Sequence, residues 1–228
     1  MNYIFAILVG LVIGFGASYC FKREESDQFE AQFNDYVDER MERLRKKFDA
    51  FLTPPAVALI QIGNDENDTE YCYKFIDRCR DVGVNIHWYG FDSEQPDWEL
   101  LSEIKDLGEH YNGLVVKLSH SATVTGVQAH AAIPTGKNII GLARATGIMN
   151  FLEEVGCNLK NITIYSNQSD LYRPLAEMAI EKYNDVSVQI LPESQSTTGR
   201  KGFTKEHLDT LGFVEAMENL LHEYNSVL

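Results

Sequence analysis

The sequence predicts an α/β chain: a parallel three-layer α/β domain, then a shorter second α/β unit, with one transmembrane helix in front. Three observations carry this. Short β-branched runs bounded by glycine alternate with amphipathic segments from residue 26 onward, the order that gives a parallel sheet with right-handed crossovers. The run Gly113-Leu-Val-Val-Lys117 ends on a single charge, and in open α/β sheets ligands sit just outside the carboxyl ends of the strands. Residues 3–21 form a stretch of 19 residues without a charge, close to the roughly 20 apolar residues that cross a bilayer as a helix.

Composition narrows the function classes. The 228 residues are 44% apolar and 24% charged, ordinary for one or two small domains. A net charge of -14 argues against nucleic acid, which needs a basic surface. Cys20, Cys72, Cys79 and Cys157 fall in no C-x-x-C spacing. They read as reduced thiols in a cytoplasmic setting, and no metal site is expected.

Taken in order, residues 3–21 lack the basic start of a signal peptide, and Tyr19 disfavours lipoprotein-type cleavage before Cys20. The segment is therefore read as an uncleaved, single-pass membrane anchor. Lys22-Arg23 directly after it place the bulk of the chain in the cytoplasm. Gly10 and Gly14 form a G-x-x-x-G that can pair membrane helices, and Cys20 could be acylated at the membrane edge.

Residues 26–52 read as one amphipathic helix, with Phe33, Val37, Met41, Leu44, Phe48 and Phe51 along one stripe. A short coiled coil is the alternative to core packing for that stripe. Thr53-Pro54-Pro55 stops it. Strands are predicted at 57–62, 84–89 and from Gly113, with helices over 69–82 and 98–111 between them. After Gly147 a helix runs to about residue 155; a strand over 161–165, a helix over 174–183, a strand over 186–191 and a closing helix over 206–224 follow. The domains read as 1–23 anchor, 24–148 first α/β domain and 149–205 second, with 206–225 packing back on the first.

Within the middle of the chain stand Gly113-x-x-Val116-x-Leu118, Ala132-Ile133-Pro134, Lys137-Asn138-Ile139-Ile140-Gly141 and Thr146-Gly147-Ile148-Met149 with Leu152-Glu153. Their order resembles the bifunctional methylenetetrahydrofolate dehydrogenase/cyclohydrolase family, with G-x-x-V-Q-L-P-L-P, I-x-P-x-K-D-V-D-G and P-C-T-P-x-G. The likeness reaches back to Pro54-Pro55. It implies that the second domain is a truncated Rossmann-like domain, because too few residues separate Leu191 from the last helix for a full dinucleotide fold.

The resemblance also implies site residues. The family has a tyrosine that packs on folate and, four residues on, a catalytic lysine. Here Tyr71 matches, Phe75 stands at the lysine position, and Lys74 lies one residue earlier, about 100° round a helix. The family's strand-end glutamine is replaced by Lys117, which could supply the missing ammonium from the strand. Tyr71 and Lys117 are thus the catalytic candidates, with Lys74 behind them. Tyr71, Asn138 and Gly147 are the substrate-binding candidates.

Both carboxylates of K-D-V-D-G are lost to Asn138 and Ile140. A pterin's buried donors would then go unpaired at about 1–3 kcal/mol each. The cofactor stretch keeps only Ser166, Arg173 and Pro174, while Tyr165 and Tyr172 replace glycines and Asp170 adds negative charge. No cofactor is expected; NADP is implied only if the family activity survives. The resulting expectation is a membrane-anchored, catalytically degenerate member of the family acting as a binding or scaffolding module. Its alternative is a diverged folate-interconverting enzyme using Tyr71 and Lys117. Expected partners are the membrane through 3–21, a folate-like small molecule or a membrane-proximal protein, and a homodimer; no nucleic acid.

Overall fold

A computed structural model describes residues 9–13, 23–119, 121–157, 161–166, 169–182, 187–191 and 203–227. The chain divides into two compact units, Met1–Glu39 with Leu142–Glu215, and Arg40–Gly141 with Ala216–Leu228. Two long helices, α1 (Arg23–Asp49) and α7 (Lys205–Val227), each contribute to both units. The division therefore falls inside helices, where the sequence shows no linker-like composition.

The unit built on residues 40–141 holds a parallel sheet of β2 (Ala56–Ile62), β3 (Asn85–Phe91) and β4 (Gly113–Leu118), ordered β3-β2-β4. β2 is central and buried on both faces, which is why it reads as a nearly continuous apolar run. Ala58, Ile60 and Ile62 face a core with Leu100, Ile104 and Ala129 from α3 (Asp97–His110) and α4 (Gly126–Ala132). Gln61, on the opposite face, meets α2 (Glu66–Asp81) through Thr69. The turn from β2 to α2 passes through Gly63 at φ +89, and a Cβ there would lie 2.0 Å from Ser119 Oγ. Asp65 then caps α2, accepting from the N–H groups of Asn67 and Asp68. The sequence reading gave α4 no element. Its seven residues are too few for an apolar period, but Thr125 and Gln128 close a capping box at its start.

The other unit has β1 (Val9–Ile13), β5 (Asn161–Ser166) and β6 (Ser187–Leu191), all parallel in the order β1-β5-β6. Its core is aromatic: Phe29, Phe33 and Tyr36 of α1 meet Phe151 of α5 (Ala143–Glu154) and Phe203. α6 (Ser169–Lys182) adds Ala176 and Ala179.

The predicted transmembrane helix is corrected here. Val9–Ile13 is a strand whose partners run from Ile162 to Ser166. Among the described residues no helix is long and apolar enough to cross a membrane. The physical reason is that a strand of a parallel sheet and a membrane span are both uncharged apolar runs, and periodicity does not separate them. The remainder of the 3–21 stretch lies outside the described residues.

Candidate functional site

The α2-facing side of the β3-β2-β4 sheet brings polar groups together at its carboxyl end. Gln61 on β2 pairs in register with Lys117 on β4 and with Gly90 on β3. In-register partners of a sheet share a face, so the Lys117 side chain rises on the same side as Gln61, towards α2. There its Nζ lies 2.9 Å from Asp68 Oδ1 and 5.4 Å from the centre of the Tyr71 ring. The second distance is within cation–π range. Lys117 is about one-third exposed and Asp68 13% exposed, so the pair is partly shielded from solvent.

Two predicted residues, Tyr71 and Lys117, are therefore neighbours in space. Lys74 is not with them: it points to solvent and pairs with Glu70 at 2.8 Å one helical turn back. Phe75, at the position of the family lysine, is buried beneath Tyr71, their rings 6.0 Å apart. Cys72 is fully buried beside them. Burial pushes its thiol up to about 11, against a smaller opposing pull from the Lys117 charge and with a further push from Asp68. A thiol so held protonated is packing, not a nucleophile.

Asn138 has its amide engaged in holding its own loop. Its Nδ2 donates to His130 Nδ1 at 2.7 Å, and its Oδ1 accepts from the Gly141 N–H at 3.0 Å. Gly147 is buried within α5, in the other unit, and serves close helix packing against Leu211. Ser166 ends β5, and Arg173 and Pro174 lie in α6. The side chains of these three, and residues 167–168, fall outside the described residues. Nothing in the described backbone adds to the sequence reading of an NADP site. Among the described residues no cluster of three histidine, cysteine or acidic side chains could hold a metal.

Two participants were not singled out from sequence. Asp68 lies in the first turn of α2, where an acidic residue is ordinary helix-dipole complementation. Gln61 had a visible signal, being the only polar residue in Ala56–Ile62. It is 3% exposed, donates from Nε2 to Thr69 Oγ1 at 2.9 Å, and keeps a buried carbonyl oxygen with no partner.

What this arrangement can do chemically is bind: an ammonium on an aromatic face, a carboxylate beside it and an amide at the floor suit a planar polar ligand. Structural comparison gives the class of fold. The chain is similar to a 5,10-methylenetetrahydrofolate dehydrogenase from the silkworm Bombyx mori, at 15% identity and a TM-score of 0.69 over 85% of this chain and 96% of that one. It is similar to the bifunctional methylenetetrahydrofolate dehydrogenase/cyclohydrolase of Campylobacter jejuni, at 13% and 0.71 over 86% and 98%. It is also similar to the Trypanosoma brucei dehydrogenase-cyclohydrolase complexed with NADP cofactor and inhibitor, at 11% and 0.72 over 85% and 96%. The chain thus has the methylenetetrahydrofolate dehydrogenase/cyclohydrolase fold. No protein-family model matches the sequence, and no curated protein matches it either.

Proposed function

We propose that this chain is a small-molecule binding module on the methylenetetrahydrofolate dehydrogenase/cyclohydrolase fold, with the family's chemistry lost. The observation that carries the reading is Phe75, buried against Tyr71. A phenylalanine cannot exchange a proton, and general acid–base work needs a titratable group within reach of the ligand. Lys74 points to solvent and cannot replace it. Tyr71, Lys117 and Asp68 then form the binding surface, the ring stacking on a planar ligand and the ion pair fixing its orientation.

The second reading, a diverged folate-interconverting enzyme, is favoured by one observation: the Lys117 ammonium lies over the Tyr71 ring. Calorimetric titration of the full chain with tetrahydrofolate and with NADP, beside a turnover assay, separates the two. Folate binding without turnover, weakened in Tyr71→Ala, is the expected result. Turnover abolished by Lys117→Ala would establish the enzyme instead. Silence with both ligands from a folded sample removes folate from either reading.

A further inference from the structure

Among the described residues, the sheet of the unit built on residues 40–141 is open along β3. On the outer side of β4 the Leu114 N–H donates to the Lys137 carbonyl at 2.7 Å, so the 137–138 segment covers the start of that edge. β3, at the other end of the order β3-β2-β4, has β2 as its strand neighbour. Two bonds fix which of its groups point outward. The Asn85 N–H donates to the Pro55 carbonyl at 3.0 Å, and the Phe91 carbonyl accepts from the Gly63 N–H at 2.9 Å. Alternate residues of a strand bond to opposite sides, so Asn85, His87, Tyr89 and Phe91 bond to β2 in unbroken register. The N–H and C=O groups of Ile86, Trp88 and Gly90 therefore face outward, and among the described residues no backbone group meets them.

This edge carries none of the devices that keep edges apart. Lysine, proline, a bulge or shortness usually blunts an exposed strand, but Asn85–Phe91 is seven residues without a charge, a proline or a break in register. It is also held ready. Trp88, 38% exposed, is braced edge-on by Tyr73, ring centres 5.2 Å apart at 77°. On the other face the Tyr111 hydroxyl holds both His87 Nδ1 and the Tyr89 hydroxyl, at 2.5 and 2.6 Å. Side chains already fixed lose little freedom on association.

We infer that β3 pairs with β3 of a second copy across a two-fold axis, joining the two three-stranded sheets into one. Two-fold symmetry makes the paired strands antiparallel, and outward groups must meet outward groups. Full overlap then sets Trp88 against the partner's Trp88, and Ile86 against the partner's Gly90. A Cβ built on Gly90 meets nothing within 4 Å, while directly opposed side chains stand about 5 Å apart. Ile86 therefore enters space that the glycine leaves open. Charge selects the same arrangement. Each copy carries a net charge of -14, so two copies repel over most of their surface, and the uncharged strand is where they can approach. Asp92, just beyond β3, falls opposite the partner's Val84. The two Asp92 carboxylates then stand roughly 26 Å apart, at about 3.3 Å per residue, which is about three Debye lengths at physiological salt. A parallel pairing would set Asp92 beside Asp92. No residue of the Tyr71–Lys117 site takes part.

Sedimentation velocity of the full chain, over micromolar concentrations in physiological salt, should show a reversible monomer–dimer equilibrium. Trp88→Lys and Trp88→Glu each set like charges directly opposite one another and remove the aromatic at the axis. Each variant alone should keep its circular dichroism and associate on the order of a hundredfold more weakly. An equimolar mixture of the two should associate again as a mixed pair, because the register then sets opposite charges at the axis. That rescue also shows both variants to be folded. A full chain that stays monomeric throughout the range overturns the inference. So does a dimer indifferent to both variants, or a mixture no more associated than either variant alone.

Discussion

A Cβ placed on Gly147 would lie 2.8 Å from the carbonyl oxygen of Leu211. The two belong to α5 and α7 of one unit, and the second is backbone, which cannot swing aside. Glycine at this point is what lets the helices approach.

Gly147→Ala tests that contact with competing signs. Helix propensity alone favours alanine by roughly 0.5–1 kcal/mol. Overpacking against fixed backbone costs about 1–3 kcal/mol. The expected outcome is net destabilisation, read as a lower urea midpoint with an unchanged slope. A raised midpoint would show that α5 and α7 separate easily, and the packing role would fail.

Gln61 and Lys117 are in-register partners of which only one is satisfied. Replacing Gln61 by leucine, close in volume, removes a buried orphan carbonyl at the expense of one hydrogen bond to Thr69. The balance favours leucine by about 1 kcal/mol, so Gln61→Leu should melt later than the parent. An earlier melt would mean that the amide is satisfied in solution.

Lys117 and Asp68 join β4 to α2 across the sheet's α2-facing side. Both are partly shielded, so their coupling should exceed that of a fully exposed pair, at about 1 kcal/mol. A double-mutant cycle with Lys117→Met and Asp68→Asn measures it. A coupling indistinguishable from zero would mean that the lysine is not held over Tyr71 by this carboxylate.

Much of the fold was legible because glycine and proline punctuate it. Pro55 precedes β2, and Gly83 and Gly113 stand before β3 and at the start of β4, with helical stripes between. Lys117 was legible as a site residue because a charge closing an apolar strand marks its carboxyl end. Other features were illegible for stated reasons. Val9–Ile13 is as apolar as a membrane span, and only its pairing with β5 distinguishes it. Asp68 looks like any acidic residue in a helix's first turn, and its meeting with Lys117 is created by the tertiary fold. Gly147 lies in a family-like motif, but its packing against Leu211 requires α7, some sixty residues away in sequence.

The buried Cys72 and Cys79 and the partly buried Cys157 give a pH dependence with a definite sign. Burial raises Cys157 from 9.0 to about 11, and raises Cys72 from 9.0 to about 11 with Lys117 opposing. Burial shifts Cys79 further in the same direction. The folded chain therefore holds these protons through a range in which the unfolded chain releases them, so stability is fully present below about pH 9 and falls as pH rises towards about 11. Tyr111 carries the fall higher: burial, and then its hydrogen bond with Tyr89, push it up to about 12. Urea midpoints measured from pH 7.5 to 11 should be flat and then decline, and Cys72→Ala should soften the decline. In a Cys20→Ser background, iodoacetamide at pH 8 should leave Cys72 and Cys79 unlabelled in the native chain and modify all three remaining thiols once it is unfolded. Rapid labelling of Cys72 in the native chain would mean that the Lys117 charge outweighs burial, and Cys72 would then join Tyr71 and Lys117 as a reactive member of the site.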